Sequence, residues 1–167
     1  MNLRKKQPTT LLLSAVTAAA WWAQYFDDSV RWDVGDDSRT GGFAAAMVAL
    51  SATEAPPVTP EQIAAFQAIL ARKLTDDLNS QVEWEAKRAR WARRHRRDNS
   101  PGTPHVYLKV DYCAEGMLAD AIKEAGIRSS SALPTSSSMR VELDEVSVSA
   151  GYQAGWENVP LLEGLTS

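Results

Sequence analysis

The stretch "TPEQIAAFQAILARKLTDDLNSQVEWEAKRARWARRHRRDN", residues 59–99, decides the architecture because its pattern is that of one or two long helices. Thr59 can cap a helix, Pro60 suits the first helical position, and Gln62 completes a capping box. Apolar side chains then recur every three or four residues, as they do along the buried side of an amphipathic helix. This apolar stripe consists of Ile63, Phe66, Leu70, Leu74, Leu78 and Val82.

The middle of this stretch leaves its continuity open. "TDDLNS", residues 75–80, is the place where a helix would kink or break, because Asp, Asn and Ser compete for backbone hydrogen bonds. The pattern therefore does not decide whether residues 61–97 form one helix or two. "DNSPGTP", which begins at Asp98, ends the element in either case.

The end of this stretch concentrates positive charge. Residues 87–97 hold seven Lys or Arg and no acid, in a chain with 18 basic residues, 21 acidic residues and a net charge of −3. Outside this basic segment, 11 basic residues face 21 acidic ones, a balance of −10. Such segregation of charge bears on association with partners rather than on fold.

The basic segment is the main candidate for a binding surface. Its candidate partner-binding residues are Lys87, Arg90, Trp91, Arg93, Arg94 and Arg97. On a helical wheel, Trp84 and Trp91 share a strip with Arg88 and His95, beside an arc of cations. Arginines could follow phosphates while indoles stack on bases, or guanidinium groups could pair with the carboxylates of a protein partner. Alternatively, the tryptophans pack onto the domain and the arginines stay solvated or paired within the chain.

Residues 1–58 are predicted to form a helical N-terminal segment with an acidic loop. Helical spacing predicts a first helix from about Thr10 to Phe26, and "FAAAMVALSA" from Phe43 predicts a second. Between them, residues 27–37 could form turns and helix caps, an acidic docking patch, or a divalent-cation site. The acidic patch consists of Asp27, Asp28, Asp33, Asp36 and Asp37. Their spacing departs from the EF-hand pattern, so we assign no metal site.

The pattern changes after Pro104, and residues 104–160 predict a β-α-β(β) unit. "HVYLKVDY" alternates in the manner of a half-buried strand, with Val106, Leu108, Val110 and Tyr112 on one side. "AEGMLADAIKEAG" predicts a helix that ends at Gly126. In "MRVELDEVSVSAGY" the apolar parity changes at residues 144–145, which predicts a bulge or a tight hairpin. We therefore expect one compact α+β domain, with a three-stranded sheet packed on the helices and a long third helix over residues 59–99.

The inventory of reactive residues favours a protein that is not an enzyme and needs no cofactor. Cys113 is the single cysteine, so no intramolecular disulfide can form, and zinc ligands are too few. We expect Cys113 to be buried and inert, and an extended strand would hold it ~26 Å from His105. No phosphate-binding glycine loop, nucleophile elbow or zinc-protease motif is present.

The N-terminal apolar run bears on localisation. Residues 11–20 are too few to cross a bilayer and include Ser14 and Thr17, so we favour a buried helix over a secretory signal. A cytoplasmic protein is the expectation.

The segment "HVYLKVDYCAEGMLADAIKEAGI", together with "MRVELDEVSVSAGYQAGWENV", resembles small uncharacterised proteins encoded by phages and prophages. Those proteins also follow a "VDY" strand with a helix ending in "AGI" and a later "VSV…GY" strand. The resemblance extends from residue 105 to residue 159, leaves out the serine-rich loop between the two quoted segments, and carries over no catalytic residue. It implies a mobile-element accessory protein that binds and inhibits host machinery, including defence complexes of the CRISPR type.

These observations lead to an ordered set of functional expectations. The first is a non-enzymatic macromolecular binding protein of a phage or mobile element, which inhibits a host protein or ribonucleoprotein complex in the host cytoplasm through charged surfaces. The alternatives are nucleic-acid binding by the Arg-rich helix and a divalent-metal-dependent enzyme that uses the Asp cluster.

Overall fold

The structure is a computed structural model, and it describes residues 10–27, 57–95, 102–128, 130, 132–151 and 154–162. Within these ranges the elements are α1 (Leu13–Ala23), a 3₁₀ turn (Gln24–Phe26), α2 (Pro60–Arg94), β1 (His105–Val110), α3 (Gly116–Glu124), β2 (Ser137–Glu142), β3 (Val146–Ala150) and β4 (Glu157–Asn158). The mixed α+β class predicted from the sequence is confirmed. The helix predicted from Phe43 lies outside the described residues.

The start of α2 is the capping box that the sequence predicts. The backbone N–H of Gln62 donates to the Thr59 hydroxyl at 3.3 Å, and the Thr59 N–H donates to the Gln62 side chain at 3.0 Å. The same Gln62 amide also donates to the carbonyl of Gly126 at 2.7 Å. Gly126 has a φ of 72°, the left-handed conformation that ends α3 where predicted. The first turn of α2 is thereby joined to the end of α3.

Residues 75–80 do not interrupt α2, which is one helix of 35 residues and about 52 Å at 1.5 Å per residue. The polar side chains bond within the helix instead of breaking it. Ser80 donates its hydroxyl to the Asp76 carbonyl at 2.8 Å, and Gln81 donates to the Asp77 carboxylate at 3.0 Å. In the part of the chain that the structure describes, no helix combines the length and the apolar character needed to cross a bilayer.

One hydrophobic core joins α1, α2, α3 and the inner side of the sheet. Its largest fully buried side chains are Trp22, Phe66, Leu70, Leu74, Leu78, Leu108, Leu118 and Met139. Alanines on α1 let it lie close along α2, and the buried Thr75 hydroxyl on α2 accepts the Leu12 N–H at 3.1 Å. Half-buried Tyr25 lies in the 3₁₀ turn that follows α1, and burial raises its pKa to about 12. α1 begins at Leu13, three residues after the predicted start.

The sheet has the order β1-β2-β3-β4, and every neighbouring pair is antiparallel. The prediction of three strands is wrong because β4 adds a fourth. β4 is only two polar residues long, so it leaves no alternating pattern in the sequence. β1 and β2 are linked through α3 and yet pair directly. The parity change at residues 144–145 is a hairpin, in which the Glu142 N–H donates to the Glu145 carbonyl at 2.8 Å.

β1 ends at Val110, and the chain then turns outward. Tyr112 was predicted on the inner side of β1, but it is 94% exposed. Cys113 was predicted to be buried and is exposed in the same turn. Both predictions are wrong because the strand is two residues shorter than its apolar alternation suggests.

The free edge of β1 is closed at both ends. At its start, Gln81 of α2 exchanges two hydrogen bonds with the His105 backbone: the side-chain amide donates to the carbonyl and the side-chain oxygen accepts the N–H, each at 3.0 Å. At the other end, the Lys109 carbonyl accepts the Glu115 N–H at 3.2 Å. Residues 106–108 lie between these two contacts. Such covered edges protect sheets against unwanted strand addition.

Candidate macromolecular interface on the long helix

The apolar stripe of α2 ends at Leu78, which is fully buried. Val82 is 39% exposed, so the predicted continuation of the stripe to this residue is wrong. Polar side chains take the inner positions that follow: Gln81 bonds to β1, and Glu85 lies beside the backbone of Gly102. Beyond Leu78, Ala92 is the only buried residue of α2, every residue of which the structure describes. The second half of α2 therefore contributes surface rather than core.

Three cations occupy one arc of this surface, and we call Lys87, Arg90 and Arg94 the cationic row. All three side chains are exposed. Within the part of the chain that the structure describes, neither they nor the exposed Arg93 form an ion pair. Arg90 donates its Nε–H to the carbonyl of Ala86, at 3.2 Å. The row keeps its charge available for a partner.

Arg88, a further cation of the basic segment, has partners within its own helix. Arg88 lies 3.4 Å from the Glu85 carboxylate, and its guanidinium carbon is 5.3 Å from the centroid of the Trp84 ring. These contacts hold Arg88 to its own helix. Among the described residues of the basic segment, Arg88 is therefore paired within the chain, as one of the alternatives predicted. Arg97, a predicted contact residue, lies outside the described residues.

The two tryptophans on the second half of α2 are exposed. Trp84 is 57% exposed and Trp91 is 51% exposed, so the alternative in which both indoles are buried is wrong. His95 stacks on Trp91 with ring centroids 4.4 Å apart and an interplanar angle of 27°. We call Trp84, Arg88, Trp91 and His95 the aromatic strip. It runs beside the cationic row because its members stand three residues before or one after those of the row.

One of the five residues of the predicted acidic patch, Asp27, lies among the described residues. Asp27 is exposed, and its N–H donates to the Gln24 carbonyl at 3.3 Å at the end of the 3₁₀ turn. The other four members, Asp28, Asp33, Asp36 and Asp37, lie outside the described residues. Across the described ranges, no three His, Cys, Asp or Glu side chains come together as metal ligands would. The acidic patch stays a prediction.

Sequence reasoning missed an aromatic group on the outer side of the sheet. The ring of Tyr107, 58% exposed, meets His105 at 5.0 Å and Trp156 at 6.4 Å between centroids. Beside it, Arg140 forms an ion pair with Glu142. The alternation of β1 places Tyr107 outward, which was the available signal, but nothing in the sequence brings Trp156 across the sheet. This group carries less unpaired charge than α2, so it is the weaker candidate.

Comparisons with known proteins add no family. A scan against protein-family models found no match for the chain, and neither did a search of curated proteins. The resemblance to phage proteins therefore stays a prediction, and the candidate interface depends on charge, exposure and geometry alone.

Proposed function

We propose that this chain is a non-enzymatic binding protein, which docks on an anionic macromolecule through the cationic row of α2. The observation that carries the proposal is the exposure of Lys87, Arg90 and Arg94 on one arc, without carboxylate partners among the described residues. Their helix is anchored in the core through its first half, so the row is held in a fixed arrangement.

The electrostatics favour an encounter with a partner of opposite charge. The row belongs to the basic segment of residues 87–97, and the chain outside that segment carries −10. This contrast orients an approaching anionic surface and gives a rapid, salt-sensitive association. Trp and Arg are also the residues that most often dominate the binding energy of interfaces. Exposed Trp84 and Trp91 beside the row supply such anchors.

The resemblance of residues 105–159 to phage and prophage proteins gives this proposal its most concrete form. In that form the chain is a mobile-element accessory protein, and its partner is a host protein or ribonucleoprotein complex that it inhibits. Defence complexes of the CRISPR type would be partners of this kind, because the phosphates of their guide RNA and displaced DNA strand are anionic.

A charge-reversal experiment with a matched control tests the proposal. The variant Lys87→Glu/Arg90→Glu/Arg94→Glu reverses the row, and Lys109→Glu/Lys123→Glu/Arg128→Glu makes the same change of net charge at exposed positions elsewhere. Tagged proteins are used for capture from a lysate of the native host, with and without nuclease. We expect the first variant to lose the captured complex and the second to retain it, both with thermal midpoints close to that of the parent protein.

The control decides the outcome. Equal capture by the parent protein and the row variant would show that α2 is a solvated helix face and would overturn the proposal. Equal loss in both variants would show an effect of net charge alone, which would also overturn a role for this surface.

A further inference from the structure

We infer that the group bound along α2 is single-stranded nucleic acid, with phosphates on the cationic row and bases on the aromatic strip. The inference rests on the proposed function, since it names the chemistry of the anionic partner. Free strands and strands exposed on a ribonucleoprotein share this chemistry.

The cationic row and the aromatic strip share the same seven-residue repeat. Trp84 and Trp91 are seven residues apart, as are Lys87 and Arg94, so each pair spans about 10.5 Å along the helix axis. Three-residue spacing places Lys87 beside Trp84, and Arg94 beside Trp91. A line of charges with a parallel line of flat rings matches a strand that carries phosphates on one side and unstacked bases on the other.

Each indole of the aromatic strip already lies against a second planar group. The Arg88 guanidinium lies over Trp84, and the His95 imidazole is stacked on Trp91. Each pair is the start of a column that a base can lengthen, because bases stack on indole, imidazole and guanidinium planes alike. Indoles that are more than half exposed leave apolar area in water, and a stacked base removes part of that area.

A single strand fits this surface better than a duplex or an acidic protein surface does. A duplex keeps its base faces within its own stack, so it would engage the cationic row and place no base on the indoles. An acidic protein surface supplies charge but no regular series of flat groups. A single strand also needs only the length of α2, and it therefore avoids wrapping a body that carries −10.

Fluorescence anisotropy with the full chain tests the inference. The probes are a short labelled single strand of mixed sequence, as DNA and as RNA, the same sequence as a duplex, and a poly-glutamate chain of equal charge. We expect the single strands to bind most tightly. Their log affinity should fall with log salt with a slope of about −2, since three cations each contribute about −0.7. Arg90→Gln should make that slope shallower by about 0.7.

Tryptophan variants test the contribution of stacking to single-strand affinity separately from that of charge. Trp84→Ala and Trp91→Ala should each weaken single-strand binding about 5- to 150-fold, as expected for the loss of one stacked base, and should leave the salt slope unchanged. Trp156→Ala is the matched control, because it removes an indole that is 53% exposed on the sheet instead of the helix. It should leave the affinity unchanged.

The outcomes distinguish this inference from the proposed function. If duplex and poly-glutamate bind as tightly as single strands, and the tryptophan variants bind normally while charge reversal abolishes binding, the inference is overturned and the proposed function stands. If no probe binds and reversal of the row also leaves lysate capture intact, both are overturned. Tight single-strand binding with loss in both tryptophan variants supports both.

Discussion

Gln81→Ala is expected to destabilise the junction of α2 with β1 by about 2 kcal/mol. The side chain makes two hydrogen bonds of 3.0 Å with the His105 backbone, and both are lost in the variant. The variant also loses the bond from Gln81 to Asp77 within α2, which adds about 0.2–0.5 kcal/mol. A partly buried hydrogen bond contributes about 0.5–1.5 kcal/mol net, so two contribute about 1–3 kcal/mol. The loss corresponds to a fall in thermal midpoint of about 4–8 °C, at about 2–4 °C per kcal/mol for a chain of this size.

Urea unfolding and amide hydrogen exchange measure this effect. The His105 amide, which loses its acceptor, should exchange faster in the variant. Gln67→Ala is the matched control, since it makes the same substitution on the same helix without removing a hydrogen bond. If Gln81→Ala unfolds within about 0.3 kcal/mol of the control, or leaves the exchange of His105 unchanged, the argument that Gln81 secures the sheet edge is wrong.

Two further predictions concern the anchoring of α2. Thr75→Val should cost about 1–3 kcal/mol in urea unfolding because it leaves the Leu12 N–H without its acceptor, whereas Thr75→Ser keeps the hydroxyl; equal stability of the two variants would contradict this. Lys73 donates a hydrogen bond to Glu124 and holds the pKa of that carboxyl below its usual 4.5, so ionised Glu124 stabilises the fold above that pH and the contribution is lost as pH falls through the lowered pKa. Glu124→Gln should therefore flatten the decline of stability below about pH 4.5, and an unchanged acid limb in thermal melts would refute the assignment.

Local signals in the sequence predicted those elements whose ends depend on neighbouring residues. The capping box at Thr59, the strand that begins at His105 and the left-handed Gly126 each need only a few adjacent side chains, and each is confirmed. The unbroken course of α2 could not be predicted, because it depends on where polar side chains bond. The Thr75 hydroxyl accepts a hydrogen bond from Leu12, at the start of α1, whereas the Ser80 hydroxyl bonds within α2.

Positions that depend on distant partners account for the errors. Val82 continues the helical period, but none of the described elements covers α2 there, and the residue is 39% exposed. Tyr112 continues the strand alternation after the strand has ended. In the candidate interface, helical spacing predicted the separation of the cationic row from the aromatic strip. It could not predict the exposure of Trp84 and Trp91, since an indole at such a position packs inward wherever a neighbouring element is present.

The continuity of α2 has a consequence for the thermodynamics of the binding proposed above. A disordered basic tail would lose backbone entropy on binding, at a cost of about 1–2 kcal/mol for each residue that becomes fixed. In α2 the core-packed turns nucleate the helix, and the cationic turns extend it by propagation. Association therefore orders little beyond side chains, and the spacing of the charges is set before contact. Such a fixed spacing favours ligands whose own charged groups repeat at the same interval.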